Sequence, residues 1–299
     1  MKTKVPVLLV TFNRLDTTKK VFEAIRQYKP DKFFVASDGA REFKEGELDI
    51  VNQVRNYVTK NVDWECEVKT LFREKNLGCG VGPFDAISWF FSNVEMGIIL
   101  EDDCVPTESF FTYCNELLEK YKYEEKILSL TGYNIIGSIG TKESYIFSRY
   151  LYGWGWATWS RAWKKMDFKL EKYIETRNKG ELKKYYHSYV ERKIIDKKVD
   201  DCIKGNVSAW DYQWIISHHM NNALTVVPRI NLVENLGFSD VNSTHTKENY
   251  WDMRFLRHNS NEMAFPLIHP SEIQESKKYF RKYLIREILR IGLKKIFRF

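Results

Sequence analysis

Val5–Pro6–Val7–Leu8–Leu9–Val10–Thr11–Phe12–Asn13–Arg14 is the stretch on which the fold turns. Residues 5–10 are continuously apolar with no alternation, which suits a strand buried on both faces of a parallel sheet. Thr11 to Arg14 breaks the run. Asp16–Thr17–Thr18 then reads as a helix N-cap region, followed by Val21, Phe22 and Ile25 at helical spacing up to Tyr28. The alternation continues outward. Residues 32–36 form a second strand ended by Ser37–Asp38–Gly39, and 47–60 a helix through Leu48, Val51, Val54, Tyr57 and Val58. A third strand covers about 66–72 and a helix about 83–94, before Gly97–Ile98–Ile99–Leu100 runs into Glu101–Asp102–Asp103. A β-α-β-α-β-α-β order predicts an α/β fold with right-handed crossovers. Ligands bind beyond the carboxyl ends of such strands. Those ends carry Asn13 and Arg14, Asp38, Arg73 and Asn76, and the acid triplet.

Composition narrows the classes. With 299 residues the chain is one large domain or two fused ones, since domains hold ~100–200 residues. Its 43% apolar and 29% charged content excludes a wholly disordered chain. No uncharged apolar run approaches the ~18–20 residues of a membrane span. The apolar stretch Val5–Val10 is too short for a signal peptide and contains Pro6. Five cysteines without a CxxC pair argue against zinc or a disulfide scaffold and for a reducing cytosol.

The net charge of +7 is a property of one segment. Residues 276–299 hold nine Lys/Arg against Glu287 alone, a net of +8, which leaves −1 for the rest. That argues against a nucleic-acid partner and for an anionic surface met by this tail. Read as a helix over 279–297, the tail places Phe280, Leu284, Ile288 and Ile291 on one side, and Arg286, Arg290 and Lys294 on another. Such a basic amphipathic helix reads either as a terminal helix packed on its own protein or a partner subunit, or as one that lies in a headgroup layer. The second reading is preferred and gives a peripheral place at the inner face of the plasma membrane.

Gly78–Cys79–Gly80–Val81–Gly82 does not match G-x-G-x-x-G and lacks the Lys–Ser/Thr ending of a P-loop. It reads instead as a flexible turn before the next helix, with backbone amides available to a phosphate. Glu101–Asp102–Asp103 is more telling. Three carboxylates at the end of a buried strand repel one another unless a cation neutralises them. A hard divalent ion, Mn²⁺ or Mg²⁺, shared with substrate phosphates answers that need. In an extended chain Glu101 and Asp103 would share one direction and Asp102 the other.

Three segments together, Val7–Arg14, Arg73–Gly78 and Ile98–Pro106, resemble glycosyltransferases of the GT-A fold. The last is similar to the Glu-Asp-Asp (DXD-type) motif of Golgi N-acetylglucosaminyltransferases and of bacterial transferases that build surface polysaccharides. The resemblance spans about residues 5–245. It implies a GT-A mixed sheet, a nucleoside-diphosphate sugar donor, with UDP as the default nucleotide, and a glycan or lipid-linked glycan acceptor. It also implies that Asp103 binds the metal, while Glu101 and Asp102 serve the ribose, the sugar or a metal-bound water. Asp38 would meet the base, with Arg14 and Arg73 near base or phosphates. Thr11, Asn13 and Asn76 complete the donor-side set.

The second half adds Tyr150-Leu-Tyr-Gly-Trp-Gly-Trp-Ala-Thr-Trp-Ser-Arg-Ala-Trp163, with four of nine tryptophans in ten residues. This segment reads either as aromatic core or as a pocket border in which Trp154 and Trp156 meet a sugar. Residues 180–204 read as one Lys-rich solvated helix. Asp211, between Trp210 and Trp214 at a helix start, reads either as a dipole-favoured charge or as the general base of an inverting displacement. His218 and His219 read as core or surface residues. The resemblance implies that His245, in the polar run Asn242–Thr246, lies near the metal. The chain divides into a donor half (1–125), an acceptor and catalytic half (126–275) and the tail (276–299). A sugar-phosphate nucleotidyltransferase, or a sugar-binding scaffold on the same fold, are the alternatives.

Overall fold

The computed structural model describes residues 4–208, 210–239 and 259–296. Strands β1 (Val7–Thr11), β2 (Lys32–Ser37), β3 (Glu67–Phe72) and β4 (Met96–Glu101) alternate with helices α1 (Leu15–Tyr28), α2 (Glu47–Lys60) and α3 (Gly78–Asn93). All four strands are mutually parallel, with β1 between β2 and β4. Val7, Leu8 and Leu9 are buried, because helices cover both sheet faces; hence the unbroken apolar run. The chain leaves β1 toward β2 and β3 and returns to its other side with β4. That reversal opens a crevice at the carboxyl ends of β1 and β4.

After β4 come β5 (Cys104–Pro106), α4 (Glu108–Lys120), β6 (Ile127–Thr131), β7 (Tyr145–Ser148) and β8 (Trp156–Trp159). Helices α5 (Ser160–Trp163), α6 (Glu171–Asn178), α7 (Tyr189–Ile203) and α8 (Asp211–Met220) follow, then β9 (Leu224–Pro228) and β10 (Val233–Asn235). Helix α9 (Lys277–Ile296) is the last. The eight-stranded sheet runs β3-β2-β1-β4-β8-β6-β9-β7, with β8 antiparallel to both β4 and β6. The segments expected as donor and acceptor halves therefore share one mixed sheet. A second, two-stranded sheet pairs β10 with β5, directly after the acid triplet.

Three expectations change. Helix α3 begins at Gly78, so the glycine-rich piece is helical rather than a flexible turn; Asp38 accepts the Leu77 and Gly78 N–H groups at 2.9 Å and secures its start. The segment 180–204 is not one helix. Gly180, at φ +71°, follows the end of α6, a 3₁₀ turn covers Leu182–Tyr185, and Ser188 then caps α7 by accepting from the Glu191 N–H at 3.1 Å. In α9 the inward face is Tyr279, Tyr283 and Glu287, whereas Ile288 of the expected apolar side faces out. Tyr283 stacks on Tyr150 with ring centroids 3.8 Å apart, and Glu287 meets Lys198 at 3.6 Å, Arg286 at 2.8 Å and Arg290 at 3.0 Å. Aromatic stacking and ion pairing, rather than aliphatic spacing, orient this helix.

Candidate functional site

A cavity of about 290 Å³ occupies the crevice. Thr11 at the end of β1 and Arg14 beyond it line the cavity, with Asp38 and Arg41 from beyond β2, Arg73 and Asn76 from beyond β3, Glu101 at the end of β4 and Asp102 just after it. Strand geometry alone brings these side chains together, because parallel neighbours end on the same edge.

The acids and Arg14 form the charged floor. Arg14 donates to Asp103 Oδ2 at 2.6 Å and ion-pairs with Asp102, whose other oxygen accepts the Phe12 N–H at 3.0 Å. Asp102 and Asp103 thus face one guanidinium together, and the expected alternation fails because the chain turns after Glu101 instead of staying extended. Asp103 does not reach the cavity wall. It lies under the 3₁₀ turn Leu236–Ser239, receiving the Leu236 N–H on its carbonyl at 2.8 Å and the Cys104 thiol on Oδ1 at 3.3 Å. A Cβ at Gly237 would stand 2.3 Å from Asp103 Oδ2, so only glycine lets that turn close over the pair.

Burial and the neighbouring acids push the Glu101 carboxyl up to about 8, against the opposing pull of Arg14. Burial also raises Asp102, to about 6, although Arg14 offsets part of the effect. Three carboxyl groups share one guanidinium, and the raised Glu101 shows that the floor cannot hold all three ionised without a further cation. That need, on oxygen donors, fits a hard divalent ion in charge and chemistry. Arg14 competes for the same oxygens, and among the described residues no group of three or more His, Cys, Asp and Glu is gathered as a metal cage. His245 lies outside the described residues.

Other assigned residues have mixed positions. Asp38 lines the cavity but spends both oxygens on backbone amides, those of Gly39, Leu77 and Gly78, which leaves less of it for a base. Asn76 holds the Gly39 carbonyl at 2.7 Å, and Arg73 pairs with Asp85. Asn13 does not line the cavity; its amide donates to Glu47 at 2.8 Å. Trp156 is core rather than pocket: fully buried, it lies 5.2 Å from Trp210 and 6.2 Å from Trp214. Trp154 packs on Tyr133 at 4.4 Å and does not line this cavity. His218 is core, bonded to Ser129 and to the Trp214 carbonyl at 2.8 Å each, and burial lowers it to about 4.

Asp211 is the first residue of α8, as the sequence indicates, and accepts the Tyr212 N–H at 3.0 Å. Trp210, immediately before it, donates its indole N–H to Glu101 at 3.3 Å. One tryptophan therefore bridges the acid floor and the start of α8. Gly153 permits this: a Cβ there would meet the Trp210 ring at 3.1 Å.

Sequence reading missed Arg41, Trp210 and Lys198. Arg41 lies 5.4 Å above the Phe12 ring and pairs with buried Glu47, whose carboxyl it holds below the usual range. Its signal was its place just past Ser37–Asp38–Gly39 at a strand end. Lys198 of α7 lies 5.2 Å over the Tyr212 ring, beside Asp211, and no local pattern in a lysine-rich helix marks it.

No family model matches the chain, and no curated protein does. Among solved structures, the glycosyltransferase GlyE of Streptococcus pneumoniae TIGR4 is similar at 10% identity with a TM-score of 0.34, over 77% of this chain and 55% of that one. A UDP-glucose pyrophosphorylase complexed with UDP-glucose is similar at 8% identity with a TM-score of 0.40, over 75% of this chain and 90% of that one. HddC from Yersinia pseudotuberculosis is similar at 9% identity with a TM-score of 0.32, over 52% of this chain and 77% of that one. This chain thus spans about half the length of GlyE, and all three likenesses are remote.

Proposed function

We propose that this chain is an inverting glycosyltransferase. It would move a sugar from a nucleoside diphosphate, UDP by default, to a hydroxyl of a glycan or lipid-linked glycan, as in building bacterial surface polysaccharide. The supporting observation is the join between two parts: a strand-end cavity with Arg14, Arg41 and Arg73 beside Glu101 and Asp102, and, through Trp210, a carboxylate at the start of α8. The arginines suit a diphosphate, whose charge grows as the glycosidic bond breaks. Mn²⁺ or Mg²⁺, held by Glu101 and Asp102 at the cavity floor, would supply Lewis-acid stabilisation of that leaving group. Asp211 takes the proton of the acceptor hydroxyl, and attack opposite the leaving group inverts the anomeric centre.

The test is a panel of nucleotide sugars with Mn²⁺, with and without glycan acceptors. Nucleoside diphosphate release that rises with one acceptor supports the reading. Pyrophosphate formed from a nucleoside triphosphate and a sugar phosphate would replace it with a nucleotidyltransferase. Tight binding of a nucleotide sugar without turnover would leave a binding protein.

A further inference from the structure

The inward face of α9 is occupied. Tyr279, Tyr283 and Glu287 are buried, and the ion pairs of Glu287 tie the helix to Lys198 of α7. On the opposite face, among the described residues, no side chain is buried, and its hydrogen bond to the body runs from Lys282 Nζ to the Ser138 carbonyl at 3.1 Å. Lys278 is three and four residues from Arg281 and Lys282, these are four and three from Ile285, and Ile285 is three and four from Ile288 and Leu289, which makes one continuous stripe along a helix. All six are exposed; Ile285 is 58% exposed, Ile288 45% and Leu289 53%. Exposed Lys277 borders the stripe. Single exposed aliphatics are ordinary, but three in five residues, continuous with a row of cations, are not scattered surface. The only acid between residues 277 and 296 is Glu287, and it points inward.

We infer that this outward stripe of α9 is the docking surface for a membrane bearing anionic lipid. Its aliphatic side chains enter the acyl boundary while the flanking lysines and arginine meet headgroup phosphates. Charge selects this occupant over a second copy of the chain. A two-fold contact would set the same positive stripe against itself, and the residues outside 276–299 carry only −1 to attract it. The surface assignment stands on α9 alone. A consequence for the acceptor rests on the transferase reading: α9 is ion-paired to Lys198, beside Asp211, so docking would bring the proton-accepting residue to a lipid-linked hydroxyl at the bilayer surface.

Removing the tail would be a poor test, because truncation uncovers the partners of Tyr279 and Tyr283. Substitution on the outward face avoids this. The full chain is sedimented with vesicles of phosphatidylcholine alone and of an equimolar mixture with phosphatidylglycerol, alongside Lys278→Glu/Arg281→Glu and Ile285→Ser/Ile288→Ser/Leu289→Ser. The wild type should partition to the anionic vesicles only. Each basic contact is worth about fivefold in partitioning, so the double charge reversal should lose at least about 25-fold. The triple variant should lose binding to a comparable degree, with the helical spectrum and melting midpoint of all three proteins matching. Sedimentation is read without turnover, so it separates this inference from the reaction. Equal vesicle binding by wild type and both variants overturns it. So does a wild-type dimer in light scattering that the triple variant dissolves while no protein binds vesicles.

Discussion

Glu101 is partly buried beside Asp102 and Asp103 and faces Arg14, which is already shared between those two. Its carboxyl is raised to about 8, so the folded protein holds a proton there that the unfolded chain releases near the ordinary carboxylate value. The resulting stability is complete below the unfolded pKa and is lost as pH rises through the folded one. Thermal midpoints of the metal-free protein should therefore fall between about pH 5 and about pH 9 more steeply than those of Glu101→Gln, which keeps a neutral group of the same shape. Parallel curves for the two proteins would show that Glu101 does not carry the proton. A bound divalent ion should flatten the wild-type curve, since it stabilises the ionised form. Asp211 is tested differently. Asp211→Asn should retain nucleotide-sugar binding while glycosyl transfer falls by about 10²–10⁴. Unchanged turnover, or a product with retained anomeric configuration, removes Asp211 from the role of base.

At the scale of elements, α9 behaves as part of the core on one side and as surface on the other. Tyr283 is 4% exposed and stacks on Tyr150, whose hydroxyl bonds Glu191 of α7 at 2.5 Å. Tyr283→Ala should cost about 3 kcal/mol of folding stability in urea unfolding, as large-to-small changes at packed aromatics do. Ile288→Ala, on the outward face, should cost well under 1 kcal/mol. Similar losses at both positions would mean that the helix is not oriented as described. Helix α3 shows the same dependence on a distant partner. Its start lacks a local side-chain cap, and Asp38, forty residues before Gly78, supplies the acceptor.

Across the whole molecule, the pairing of β4 with β8 is what makes the chain one unit. Met96 to Ile99 pair with Trp159 to Trp156, so the parallel half and the mixed half share hydrogen bonds and a continuous core. Trp210 adds a second tie, reaching from the start of α8 to Glu101. Urea unfolding followed by tryptophan fluorescence should therefore coincide with unfolding followed by far-ultraviolet circular dichroism. The tryptophans cluster mainly in the second half, whereas the helical signal comes from both, so separate transitions would show two independently folding halves.

Periodicity in the first hundred residues was enough to establish the alternating strands and helices, the buried character of β1 and the gathering of Arg14, Asp38, Arg73 and Glu101 at one sheet edge. These depend on local patterns and on a rule of parallel sheets, so no long-range contact had to be known. The place of Asp211 at a helix start was legible for the same reason. Tertiary structure alone decided which acids see the cavity, because Arg14 and the Gly237 turn draw Asp103 beneath the floor. It placed Trp156 in the core and made Trp210 the bridge, since a tryptophan's role depends on what packs across from it. It also turned α9 about its axis: Tyr150, Lys198 and Glu287 are far apart in sequence, and only their packing determines which side of an amphipathic helix faces inward.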